Sequence, residues 1–125
     1  MKDPVEQSNQ IVAAYNAKDF ARMRTLVHPS LDFSHVNRGF SFNKSEDLFG
    51  VLEMFAAQLM PDRRMSEPER VIAHQDTVVR VARWGGTAQA DIPGFGSAGD
   101  KVELTLCSIM RFDAQGLLVE WKDYG

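Results

Sequence analysis

His35 and Asp123 are the two side chains in this sequence best suited to proton transfer. His35 belongs to an alternating run in which Leu31, Phe33 and His35 face one way and Asp32, Ser34 and Val36 the other, so its imidazole lies among apolar groups. An imidazole titrates near pH 6.5 in water, and loss of hydration lowers that value and favours the neutral base. Asp123 ends a second alternating run, Leu117, Val119, Trp121 and Asp123. Burial raises a carboxyl pKa, while a charged imidazole beside it lowers it. Each residue also has a plainer reading. His35 then is a core histidine bonded to a backbone carbonyl, and Asp123 a hydrated carboxylate near the chain end.

Arg80 shares a face with Val78, Ala82 and Trp84. Turned inward, it would bind an oxyanion or pair with Asp123. The usual exposure of arginine favours the other reading, an outward and solvated side chain. Tyr15, Phe33, Phe55, Trp84 and Trp121 are expected to line a ligand pocket. Phe40, Phe42, Phe49, Met54 and Met60 are expected in the core or the pocket wall, and six methionines suit a pocket that adapts to an apolar ligand. The single cysteine, Cys107, has no partner for an internal disulfide or a CxxC site and reads as a small apolar residue. His28, His35 and His74 lack metal-ligand spacing, so no metal and no cofactor are expected.

These residues need a scaffold, and the periodicity describes one. Asp3-Pro4-Val5-Glu6 opens a helix running to about residue 16, with Val5, Val12 and Tyr15 on one stripe. Asp19 caps a short second helix with Phe20, Met23, Leu26 and Val27 as its apolar face, stopped at His28-Pro29. A strand from Leu31 to Val36 turns at Asn37-Arg38-Gly39 into Phe40-Ser41-Phe42. Asn43-Lys44-Ser45-Glu46 reads as a second capping box, before a helix carrying Leu48, Leu52, Phe55 and Leu59 and ending at Pro61. A polar connector over 61–68 leads to strands at 69–74, 77–91, 101–112 and 117–124, with Gly85-Gly86 as a bulge or bend. Residues 92–100 hold three glycines and a proline and read as a loop. Helices followed by hairpin-connected strands predict one α+β domain over 1–125 with an antiparallel sheet.

The 125 residues carry 44% hydrophobic and 25% charged side chains, a globular composition. With 14 basic against 17 acidic residues the net charge is −3, which argues against a nucleic-acid partner. The N-terminal stretch has no apolar core for a signal peptide, and no apolar run approaches the roughly 20 residues that span a bilayer. The expectation is a soluble, cytoplasmic protein without a membrane partner.

Tyr15-Asn16-Ala17-Lys18-Asp19, Asp32-Phe33-Ser34-His35, the glycine-punctuated run 94–102, and the closing pair Ile109–Asp113 and Gly116–Tyr124 together resemble the superfamily of nuclear transport factor 2, in its SnoaL-like polyketide cyclase and ketosteroid isomerase-like branch. The resemblance covers nearly the whole chain. It implies a cone-shaped, curved antiparallel sheet packed on three N-terminal helices and enclosing a pocket. It places His35 where isomerase relatives carry a carboxylate base, and Asp123 where epoxide-hydrolase relatives carry an acid that moves protons. The isomerase oxyanion donors fall on Ile11 and Ser108, so that donor pair is missing, and Tyr15 lies one turn further along the helix. Ser108 is nonetheless expected at the ligand. Arg80-Val81-Ala82 keeps the arginine of the epoxide-hydrolase Arg-x-Asp but not its acid.

The scaffold hosts many activities. The leading expectation is a metal-free acid–base enzyme for an apolar oxygenated substrate, isomerising, cyclising or adding water, in which His35 takes a proton and Asp123 returns it or orients the imidazole. The alternatives are a domain that binds or senses a hydrophobic ligand, and a structural dimer module with a filled cone. A homodimer is expected through an outer sheet face bearing Val79, Val81, Thr105, Cys107 and Ile109.

Overall fold

The structure, a computed structural model, describes residues 2–125. Asp3 caps α1 (Pro4–Asn16), its Oδ1 accepting from the Val5 amide at 3.0 Å, and Pro4 sits in the first turn, where no amide is needed. Asp19 caps α2 (Phe20–Leu26) in the same way through the Arg22 amide at 3.0 Å. The capping box expected over 43–46 does not form. The N-cap of α3 (Ser45–Met54) is Lys44, with no side-chain bond. Glu46 turns instead to Arg24, at 2.9 and 3.1 Å, and Arg24 also bonds Glu53 at 2.7 Å, which ties α2 to α3. Phe55–Leu59 extends α3 by one wide turn, closed by the Met60 amide on the Phe55 carbonyl at 2.8 Å.

The strands are β1 (Val27–His35), β2 (Phe40–Phe42), β3 (Arg64–Met65), β4 (Arg70–His74), β5 (Thr77–Thr87), β6 (Lys101–Phe112) and β7 (Leu118–Tyr124). They form one curved, unclosed sheet in the order β2-β1-β7-β6-β5-β3, with β4 also on β5. This is the α+β architecture that the sequence predicts, with one change of pairing: β1 and β7 run parallel, so the sheet is mixed. Alternation fixes which face a side chain takes but not the direction of the neighbouring strand. β1 also begins four residues before the expected start and contains Pro29. The β1–β7 register is irregular between Val27 and Asp32, where Pro29 has no amide to donate.

Gly85 and Gly86 form no bulge; they pair in register with Glu103 and Val102. Their smallness serves close approach. A Cβ on Gly85 would lie 2.3 Å from the Val102 carbonyl oxygen, and one on Gly86 would lie 2.6 Å from the Met60 side chain.

Ile11, Ala14 and Tyr15 of α1 join Val78, Ala82 and Trp84 of β5 in the core. The buried stripe of α1 therefore runs through Ile11, and Val5 and Val12 are only partly covered. Met23, Met60 and Met110 are core residues, whereas Met54, expected inside, is 51% exposed. Among the described residues no helix is long and apolar enough to cross a membrane.

Candidate functional site

A row of four polar side chains crosses the sheet beneath the helices. Arg80 of β5 pairs with Ser108 of β6, Ser108 with Asp123 of β7, and Asp123 with His35 of β1. Directly paired residues point to the same face of a sheet, on strands about 4.8 Å apart. All four are buried, at 4%, 5%, 5% and 8% exposure in that order.

Asp123 is held at one oxygen. Its Oδ1 accepts from the Ser108 hydroxyl at 2.6 Å and from the Trp121 indole N–H at 2.7 Å, and neither bond uses Oδ2. Burial pushes the carboxyl up to about 6, and the two donors pull in the opposite direction by favouring the anion. His35 shows the reverse effect. Burial, with the Arg38 guanidinium nearby, lowers the imidazole to about 4, so it is neutral at physiological pH. Its Nδ1 is buried without a hydrogen-bond partner. That nitrogen makes no bond to a backbone carbonyl.

Both groups line a cavity of about 80 Å³, with Tyr15, Phe33, Phe55, Trp84 and Trp121 in its wall. Five of the six side chains expected at a ligand therefore meet His35 and Asp123. Ser108 does not reach the cavity; it sits behind Asp123 as a hydrogen-bond donor. The wall is aromatic and aliphatic rather than methionine-rich, with Met65 its one methionine among the described residues. Tyr15 accepts the Trp84 indole N–H on its hydroxyl at 2.7 Å. The Arg63 guanidinium lies 4.0 Å above the Tyr15 ring and donates to the Tyr15 carbonyl at 2.7 Å. Burial raises the phenol pKa, and Arg63 opposes that rise.

Arg80 corrects the outward reading. It is buried and donates to Ser8 Oγ at 2.9 Å and Asn9 Oδ1 at 2.6 Å. Two polar residues on the first turns of α1 give the guanidinium neutral hydrogen-bond partners, so it enters the interior without a carboxylate bonded to it, and Glu67 favours its charged form from further off. It does not pair with Asp123, and it lies outside the cavity wall.

The residue that sequence reasoning missed is Phe95, in the loop between β5 and β6. Its ring lies 5.7 Å from His35, 6.0 Å from Phe40, 5.5 Å from Phe55 and 5.6 Å from Trp84, centroid to centroid. A lone aromatic between Gly94 and Gly96 was the available signal, since such a ring has no local partner and must find one elsewhere. Among the described residues no group of three or more histidine, cysteine or acidic side chains converges as a metal site would require.

Comparison with known proteins places this arrangement in a family. The model of the SnoaL-like domain matches residues 9–121. IdmH from Streptomyces antibioticus, a proposed polyketide cyclase, superposes with a TM-score of 0.80 at 20% identity over 98% of this chain and 91% of its own. A proposed polyketide cyclase from Xanthomonas campestris pv. campestris gives 0.81 at 13% identity over 98% and 89%. AclR from Streptomyces galilaeus, a proposed hydroxylase, gives 0.75 at 22% identity over 96% and 76%. These identities carry the fold alone, and among curated proteins no sequence matches. With its match extending over most of its length, the chain belongs to the SnoaL-like domain family.

Proposed function

We propose that this protein is an acid–base enzyme acting on an apolar, oxygen-bearing small molecule. Asp123 moves the proton, and the neutral His35 imidazole holds a substrate oxygen or an attacking water. This reverses the roles expected from the sequence. A carboxylate at about 6 is ionised but still basic at neutral pH, whereas an imidazole at about 4 is the weaker base of the two. The observation that carries the reading is the placement of His35 and Asp123 opposite one another at one apolar cavity, with Asp123 Oδ1 already bonded and Oδ2 left over. Abstraction of an acidic C–H next to a carbonyl, followed by proton return, is the simplest reaction such a pair performs. Membership of a family with enzyme-like relatives supports the same class.

The test uses a panel of cyclic ketones, enones and epoxides, followed by mass spectrometry in heavy water. Deuterium incorporation or conversion by the native protein, reduced about 10²–10⁴-fold in Asp123→Asn, is the expected result. Equal turnover in the two proteins sinks the proposal. The second reading, ligand binding without chemistry, is favoured by the wall itself, in which polar groups are few. It predicts that a tightly bound compound is recovered unaltered.

The outer sheet face supports a homodimer. Val79 pairs with Ile109 and Val81 with Cys107, all four half-buried, and Ile72 beside Val79 is 54% exposed. Such a face is apolar enough for a second copy to cover.

A further inference from the structure

Phe95 fills the space that a ligand of the proposed enzyme needs. The cavity beside it, about 80 Å³, is well below the roughly 300–1,000 Å³ of sites that enclose drug-sized ligands. The ring is packed as a bound aromatic molecule would be. It stacks on Phe40 at 12° and meets His35, Phe55 and Trp84 at steep angles of 85°, 73° and 61°. Offset stacks and edge contacts at these distances are the favourable aromatic geometries.

The segment bearing Phe95 is built to release it. Gly94 has φ +85°, a conformation that a side chain would strain, and Gly96 follows on the other side. The turn closes on itself through Ile92 and Gly96, whose amides and carbonyls bond at 2.8 and 3.0 Å. Beyond the Phe95 ring, among the described residues the tip is fastened from outside by one clasp: Arg38 donates to the Gly94 carbonyl at 2.5 Å and lies 5.4 Å above the Phe95 ring. Ile92 is buried and anchors the base of the turn. Displacement of Phe95 therefore breaks few bonds and leaves the sheet intact.

We propose that Phe95 is the resident occupant of a ring-binding subsite, and that a ligand carrying a planar six-membered ring enters by displacing it and sets its oxygen against His35 and Asp123. The resident ring then selects ligands: one that cannot repeat its four aromatic contacts does not displace it. This rests on the reading of the cavity as the ligand site, but not on the chemistry assigned to Asp123.

The test is titration calorimetry and stopped-flow binding with 1-naphthol. Phe95→Ala opens the subsite and removes the competitor, so its affinity for 1-naphthol rises about tenfold or more over the native protein, the gain of a filled apolar cavity. Arg38→Met unfastens the tip without enlarging the subsite, so association accelerates several-fold even if Phe95→Ala fails to fold. Equal affinity in the native and Phe95→Ala proteins, or no binding by either, overturns the proposal, as does an unchanged association rate in Arg38→Met. Repeating the titration with Asp123→Asn as the background separates the two readings. A gain retained there supports the ring subsite whatever the chemistry, a gain lost there overturns it, and the acid–base reading falls separately, on equal turnover by the native and Asp123→Asn proteins.

Discussion

His35 and Asp123 stand directly opposite one another in the parallel β1–β7 ladder, and burial moves their titrations in opposite directions. The imidazole loses its proton early, and the carboxyl keeps its proton late. Each is therefore neutral over the range in which its unfolded counterpart is charged.

Opposed shifts give opposed dependences of stability on pH. Between about pH 4 and 6.5 the unfolded chain binds a proton at His35 that the folded one does not, so this group adds stability as pH rises. Between about pH 4 and 6 the folded chain binds a proton at Asp123 that the unfolded one does not, so this group removes stability as pH rises. Relative to the native protein, Asp123→Asn steepens the rise of the urea midpoint from pH 4 to 6, and His35→Gln flattens or inverts it. Parallel curves for all three proteins contradict the assignment.

In the proposed mechanism Asp123 acts as the carboxylate, so kcat/KM is expected to rise with pH through about 6 and to be flat above pH 7. Ser108→Ala removes a donor that favours the anion, so the midpoint moves to higher pH. A midpoint that stays in place or moves down shows that the rate reports another group.

Among the described residues the Tyr15 hydroxyl alone accepts the Trp84 indole N–H. Tyr15→Phe leaves that N–H buried and unpaired, at a cost of about 1–3 kcal/mol in unfolding free energy. A double-mutant cycle with Trp84→Phe recovers part of the loss if the bond is its cause.

Arg80 hydrogen-bonds to neutral side chains, with the Glu67 carboxylate acting on it only through its charge, and Ser8 Oγ already donates to the Val5 carbonyl at 2.8 Å. Arg80→Met removes a charge from the interior and strands little, so stability changes by less than about 1 kcal/mol or increases. A loss of several kcal/mol indicates an unrecognised partner. The pH–rate midpoint is unchanged by this variant, since Arg80 is absent from the cavity wall.

Val81→Lys places a charge in the middle of the outer sheet face. Light scattering at micromolar concentration is expected to give a dimer for the native protein and a monomer for the variant. A native monomer contradicts the proposed interface.

Local rules were enough to read much of this protein. Asp3 and Asp19 cap helices because a short acidic side chain reaches a free amide two or three residues on, a relationship complete within one turn. Alternation put His35 with Phe33 and Asp123 with Trp121, because a strand's period is fixed by its backbone. The resemblance to the SnoaL-like branch carried the same reading to the level of the fold. What depended on the meeting of distant segments was decided by tertiary structure. The parallel direction of β7 beside β1, Arg80 turned in toward Ser8 and Asn9, and Glu46 drawn away to Arg24 each depend on a partner more than 20 positions away. Phe95 is the clearest case. Its loop has no period to read, and its position among His35, Phe40, Phe55 and Trp84 exists only once three separate parts of the chain have packed around it.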